Sequence, residues 1–120
     1  MMFPELVPRA FVTLTKRGVS VIGDREARLL DAVDRVRSIK DAASEAGISY
    51  RTAWSAIQHM EQALGRPMVE SRAGGPGGGA TTLTDECRRL LARYHELHQR
   101  LEENLARAWD TPEATAQAGD

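Results

Sequence analysis

At 120 residues the chain has room for one domain with an appended element. Its 42% hydrophobic and 28% charged content supports a packed core and excludes an intrinsically disordered chain. A formal net charge of −1 excludes a broadly basic nucleic-acid coat, although residues 1–72 carry 11 Lys/Arg against 9 Asp/Glu while residues 73–120 carry 5 against 8. The acid therefore collects towards the C-terminal part, and any DNA binding has to come from a local, salt-sensitive patch. No apolar run reaches the length of a membrane span, no basic-then-apolar leader opens the chain, and Cys87 is the single cysteine. The expectation is a cytoplasmic protein with no membrane partner and no intramolecular disulfide.

Residues 1–10, with Pro4 and Pro8, read as an irregular lead-in. Phe11 to Thr15 and Val19 to Ile22 are short β-prone runs around a Lys16-Arg17-Gly18 turn. A ribbon of two strands is marginal alone, so it should lie against helices or a second subunit. A supporting helix then runs from Asp24, its candidate cap, to about Arg37, burying Ala27, Leu30, Val33 and Val36.

The stretch Ser38 to Leu64 reads as two helices joined by a tight turn. Ser38 caps the first, with Asp41 at capping-box spacing, and Ile39, Ala42, Ala43 and Ala46 share a face. Gly47 supplies the left-handed residue that ends it. Ser49 caps the second helix, whose Ala53, Trp54, Ile57, Met60 and Leu64 form an apolar stripe. The small alanines allow a close crossing, as a helix-turn-helix requires. The opposite face carries Arg51, Thr52, Ser55, Gln58, His59 and Gln62, with neither Lys nor acid among them. An ordinary solvated face is rich in Glu and Lys. A row of hydrogen-bonding side chains is what reading base edges and phosphates needs.

Gly65-Arg66-Pro67 stops the helix. Met68 to Arg72 and Ala80 to Leu83 read as strands around AGGPGGGA, glycine or proline at every position from Gly74 to Gly79. Three readings compete for this loop. A nucleotide-phosphate loop wants a Lys-Ser/Thr end and a following helix, which Ala80-Thr81-Thr82 do not give. A flexible linker is a second. The strand-like flanks favour the third, a β-hairpin wing whose bare backbone can approach a sugar-phosphate chain, with Arg72 at its base for a phosphate.

Thr84 caps a last helix running to Trp109, with Asp85 and Glu86 in its first turn. Leu90, Tyr94, Leu97, Leu101, Asn104 and Ala108 keep heptad spacing, broadened by Leu91 and Leu105. A helix of that length outruns so small a domain, which points to pairing with a second copy through Leu90, Tyr94, Leu97, Leu101 and Leu105. The bland alternative packs the stripe on its own domain. Residues 110–120 read as a disordered tail. The division is thus lead-in 1–10, winged helix-turn-helix 11–83, dimerisation helix 84–109 and tail.

The chemistry-bearing residues give no enzyme. His95 and His98 lie three apart on a helix without further ligands and read as solvated, Cys87 as a packing residue, and His59 as a DNA contact. No catalytic residue, metal site or cofactor is expected.

From Ile22 to about Tyr94 the sequence resembles the DNA-binding domain of the ModE family, the bacterial molybdate-responsive transcription regulators. The residues that carry this are SIKDAASEAGISYRTAW (Ser38–Trp54) and VESRAGGPGGGATTLT (Val69–Thr84). LysR-type winged helices share only the first part. The resemblance implies a mainly α fold with small β (α+β), a winged helix-turn-helix with an N-terminal β-ribbon and a long C-terminal dimerisation helix. It makes Tyr50–Leu64 the recognition helix and the glycine loop the wing. It places contacts to double-stranded DNA on Ser49, Tyr50, Arg51, Ser55 and the wing, including Arg72, Gly74, Gly75, Gly77 and Gly78. Members of the family carry molybdate-binding domains after the long helix. None follows here, so the expectation is a stand-alone, homodimeric DNA-binding half without an oxyanion site and with an unknown effector. The rival expectation is a winged helix that binds a partner protein and no DNA.

Overall fold

The structure, a computed structural model, describes residues 2–72 and 79–111. The chain folds as β1 (Leu14–Lys16), β2 (Val19–Ile22), α1 (Asp24–Val36), α2 (Ile39–Ala46), α3 (Tyr50–Leu64), β3 (Val69–Arg72), β4 (Ala80–Leu83) and α4 (Asp85–Asp110). This is the expected mainly helical α+β winged helix-turn-helix. α1 packs on α2, α2 on α3, and β4 lies against α1. Ile22, Leu29, Leu30, Val33, Ile57, Met60, Met68 and Leu83 are its fully buried centre. Leu29 and Ala32 add a second buried row to α1 that the expected stripe did not contain.

Local chemistry sets most helix ends. Ser38 Oγ accepts the Asp41 N–H at 3.0 Å, Ser49 Oγ the Thr52 N–H at 3.0 Å, and Thr84 Oγ1 the Cys87 N–H at 3.2 Å. Gly47 ends α2 at φ 71°, a left-handed conformation where a Cβ would be strained. α1 departs from expectation. Gly23 is its cap and Asp24 lies in its first turn, because the Glu26 carboxylate reaches back to the Gly23 N–H at 2.8 Å. The helix stops at Val36, and Arg37 takes the left-handed cap at φ 58°.

The first strand also differs. It begins at Leu14 rather than Phe11 and pairs with β2 across a two-residue turn in which Arg17 and Gly18 both have positive φ. Phe11 to Thr13 are drawn elsewhere. The Tyr94 hydroxyl donates to the Val12 carbonyl at 2.9 Å, His98 Nε2 to the Ala10 carbonyl at 2.9 Å, and the Ala10 N–H reaches Glu102 at 3.1 Å. Arg9 meets the same carboxylate at 2.9 Å and, by that hydrogen bond above all, holds it below the usual carboxylate range. The lead-in has no regular secondary structure, yet these bonds hold it along α4. His98 is therefore a clasp and not a solvated histidine. His95 is likewise engaged, tying α4 to α1 through Asp31 at 2.9 Å.

β3 and β4 pair antiparallel from Val69↔Leu83 to Arg72↔Ala80, as a hairpin. Thr84 anchors its base to Pro67, the Glu61 carboxylate accepts the Met68 N–H, and the Thr81 N–H donates to the Arg37 carbonyl. The hairpin is thereby fixed beside α3 and the turn that joins α1 to α2. The expected wing glycines Gly74, Gly75, Gly77 and Gly78 lie outside the described residues, as do residues 112–120 of the expected tail.

Cys87 is fully buried, and burial pushes its thiol up to about 11, with the Asp34 charge adding to the effect. It is the neutral, inert thiol that its position suggested. The folded protein should resist alkylation at pH 8 and react only on unfolding; rapid labelling of the native protein would contradict the packing. Because the folded value is raised, the stabilisation is complete below pH 9 and is lost as pH climbs towards 11.

Candidate nucleic-acid interface

α3 buries Ala53, Ile57 and Met60 against α1 and α2, and the 3.6-residue turn then fixes what faces outward. Passing around its axis from the hairpin side, the side chains run Tyr50 and Trp54, Gln58 and Arg51, Gln62 and Ser55, then His59 and Thr52. Arg51, Ser55, Gln58 and Gln62 are all exposed and form a central ridge. Among the described residues no acidic side chain meets Arg51, so its guanidinium is available to an external anion.

The remaining expected contacts are placed less simply. Ser49 and Thr52 are tied into the cap, where the Ser49 hydroxyl also donates to Thr52 Oγ1 at 2.9 Å. His59 Nε2 donates to the Ser20 carbonyl at 3.2 Å, which links α3 to β2 and turns the ring from the ridge. Tyr50 is half exposed and stands edge-on to Trp54 at 6.3 Å. Arg72 is exposed at the outer end of β3.

Two clefts border the ridge. One, on the hairpin side, is lined by Arg37, Ser38, Lys40, Tyr50, Trp54, Ser71 and Thr81. Sequence reasoning missed Arg37 and Lys40 because they come from a different turn of the chain. One signal was visible: Lys40 sits in the first turn of α2, where the helix dipole disfavours a cation unless an anion compensates. The other cleft lies on the far side and includes Ser20, Arg25, Arg51, Ser55 and His59.

The second expected surface is on α4. Its buried residues, Cys87, Leu91 and Tyr94, all lie in the first half. Leu97, Leu101 and Trp109 beyond them are exposed, while Leu90 and Leu105 are half-buried. Tyr94, expected in the seam between copies, is only 3% exposed and faces its own lead-in. Among the described residues no group of three His, Cys, Asp or Glu could hold a metal, and no helix is long and apolar enough to cross a membrane.

The chain is 42% identical over 78 residues to "Molybdenum transport protein ModE" of Azotobacter vinelandii, covering 65% of this chain and 29% of that one. It is 41% identical over 75 residues to "DNA-binding transcriptional dual regulator ModE" of Escherichia coli, covering 62% and 29%. To "Transcriptional regulator ModE" of Haemophilus influenzae it is 34% identical over 93 residues, covering 78% and 36%. The chain thus spans about a third of the length of the curated relatives it matches, and the resemblance seen in Ser38–Trp54 and Val69–Thr84 is borne out. Residues 25–88, from the first turn of α1 to that of α4, match the family described as "Bacterial regulatory helix-turn-helix protein, lysR family". The chain belongs to that lysR-type family of bacterial regulatory helix-turn-helix proteins.

Proposed function

We propose that this protein is a cytoplasmic, sequence-specific DNA-binding transcription regulator that acts as a homodimer and carries out no catalytic step. The observation that carries the reading is the ridge of α3: an unopposed Arg51 with Ser55, Gln58 and Gln62, all exposed and presented by a helix whose other face is locked in the core. Glutamine pairs with base edges in the major groove, and arginine and serine reach either bases or phosphates. Arg37, Lys40 and Arg72 on the hairpin side supply the charge that fixes register on one strand. Two copies joined through the outer half of α4 would place two α3 helices in successive major grooves, about 34–36 Å apart.

A link to molybdate metabolism follows from the relatives, two of which are named for molybdenum transport and for transcription regulation. Thermal shift with molybdate, tungstate and sulfate tests for an oxyanion that acts on this chain directly. The near-neutral charge favours a second reading, in which the α3 ridge docks a partner protein.

Arg51→Ala should leave the melting temperature unchanged and weaken operator binding by about 1–3 kcal/mol. Fluorescence anisotropy at fixed salt measures this. Equal affinity of variant and parent would remove α3 from the interface.

A further inference from the structure

We propose that the cleft between β2, the start of α1 and α3 seats a backbone phosphate of the bound duplex, held jointly by Arg25 from α1 and Arg51 from α3. The inference rests on the DNA-binding reading above and adds the second strand to it.

The first argument is geometric. A helix with side chains is about 10–12 Å across and the major groove about 12 Å wide, so both phosphate chains flank an inserted helix. On the hairpin side one chain meets Arg37, Lys40 and Arg72. The far side of the same ridge opens into the Arg25 cleft, whose floor carries Ser55 and His59 of α3 itself. A duplex seated on Ser55 and Gln58 therefore lays its other chain there.

The second argument is chemical. Ser20, Arg25, Arg51, Thr52, Ser55 and His59 supply the cleft's polar groups, and among the described residues Glu26 is the one acid that lines it. That acid is committed. One of its oxygens accepts the Gly23 N–H at 2.8 Å, and the other lies 3.5 Å from Arg25 Nε, too long for a tight pair. The Arg25 side chain remains 66% exposed. A cation in the first turn of α1 also runs against the helix dipole, which an external anion would reverse. Arg28, one turn on, differs: it pairs with Asp24 at 3.0 Å and stands outside the cleft.

The test compares Arg25→Gln with Arg28→Gln in the full chain, by salt-titrated anisotropy on the operator and on an unrelated duplex. Both variants remove one positive charge, and only the first removes a proposed phosphate ligand. R25Q is expected to bind both duplexes about tenfold more weakly, the weight of a charge-assisted hydrogen bond, with R28Q near the parent. The slope of log K against log salt should fall by about 0.9 for each phosphate that is no longer neutralised. An unchanged R25Q, an equal weakening in R28Q, or a weakening confined to the operator overturns the inference. So does an Arg25-dependent rise in melting temperature with inorganic phosphate or molybdate and no DNA, which would make the cleft a small-oxyanion site. If the parent binds no duplex at any salt, the DNA reading fails and takes this inference with it; parent binding with an unaltered R25Q defeats this inference alone.

Discussion

Replacing Leu97 and Leu101 together by glutamate is expected to leave the protein folded but monomeric, and to cost operator affinity at least about 100-fold, the gain that joining two binding units provides. α4 has 26 residues and so extends about 39 Å, well past the three-helix core. Its fully buried residues end at Tyr94. Beyond that point the lead-in covers part of the helix through Arg9 and Ala10 on Glu102, and Leu97 and Leu101 remain 41% and 36% exposed. Each leucine buried between copies contributes about 1.5–3 kcal/mol, and a glutamate there leaves a charge without a partner. In one subunit both positions are open to solvent, so the melting temperature of the monomer should barely change. Sedimentation velocity reads the assembly directly. A double variant that still sediments as a dimer places the pairing surface elsewhere.

Ile57→Ala should lower folding stability by about 2–5 kcal/mol, the cost of removing a large aliphatic side chain from a closed core. Ile57 is fully buried, on the face of α3 that holds the helix to its neighbours. For a domain of this size such a change lowers the melting temperature by roughly 10–30 °C. Gln58, the next residue, is exposed, and its replacement by alanine should alter stability by less than about 0.5 kcal/mol. Urea denaturation of the pair separates the seat of α3 from its outward ridge. Similar destabilisation at both positions would mean that the two faces have been wrongly divided.

What the sequence made legible was mostly local. Ser38, Gly47, Ser49 and Thr84 end or begin helices through bonds to residues three or four away, so spacing alone reveals them. The α3 ridge was legible for the same reason, since about half a helical turn separates Arg51 from Ala53 and Ser55 from Ile57. Long-range competition was not legible. The first strand gives up Phe11 to Thr13 because Tyr94, far along the chain, takes the Val12 carbonyl. His98 read as solvated and His59 as a DNA contact, and both are bonded to backbone carbonyls, of Ala10 and Ser20. The clefts beside α3 escaped notice because Arg37 and Lys40 on one side, and Arg25 on the other, join the ridge only once α1 and α2 have packed. The Gly23 cap was hidden because glycine has no capping side chain; Glu26, three residues on, accepts the Gly23 N–H instead.

The most direct measurement is equilibrium binding of the intact chain to genomic DNA fragments across a salt series, with the retained fragments sequenced. The expected result is selection of pseudo-palindromic sites, with log K falling steeply and linearly against log salt as phosphates exchange counterions for Arg51 and its neighbours. Binding that ignores salt, or no binding to any fragment while the folded protein retains its melting transition, would contradict a DNA-reading ridge and leave the partner-protein reading in its place.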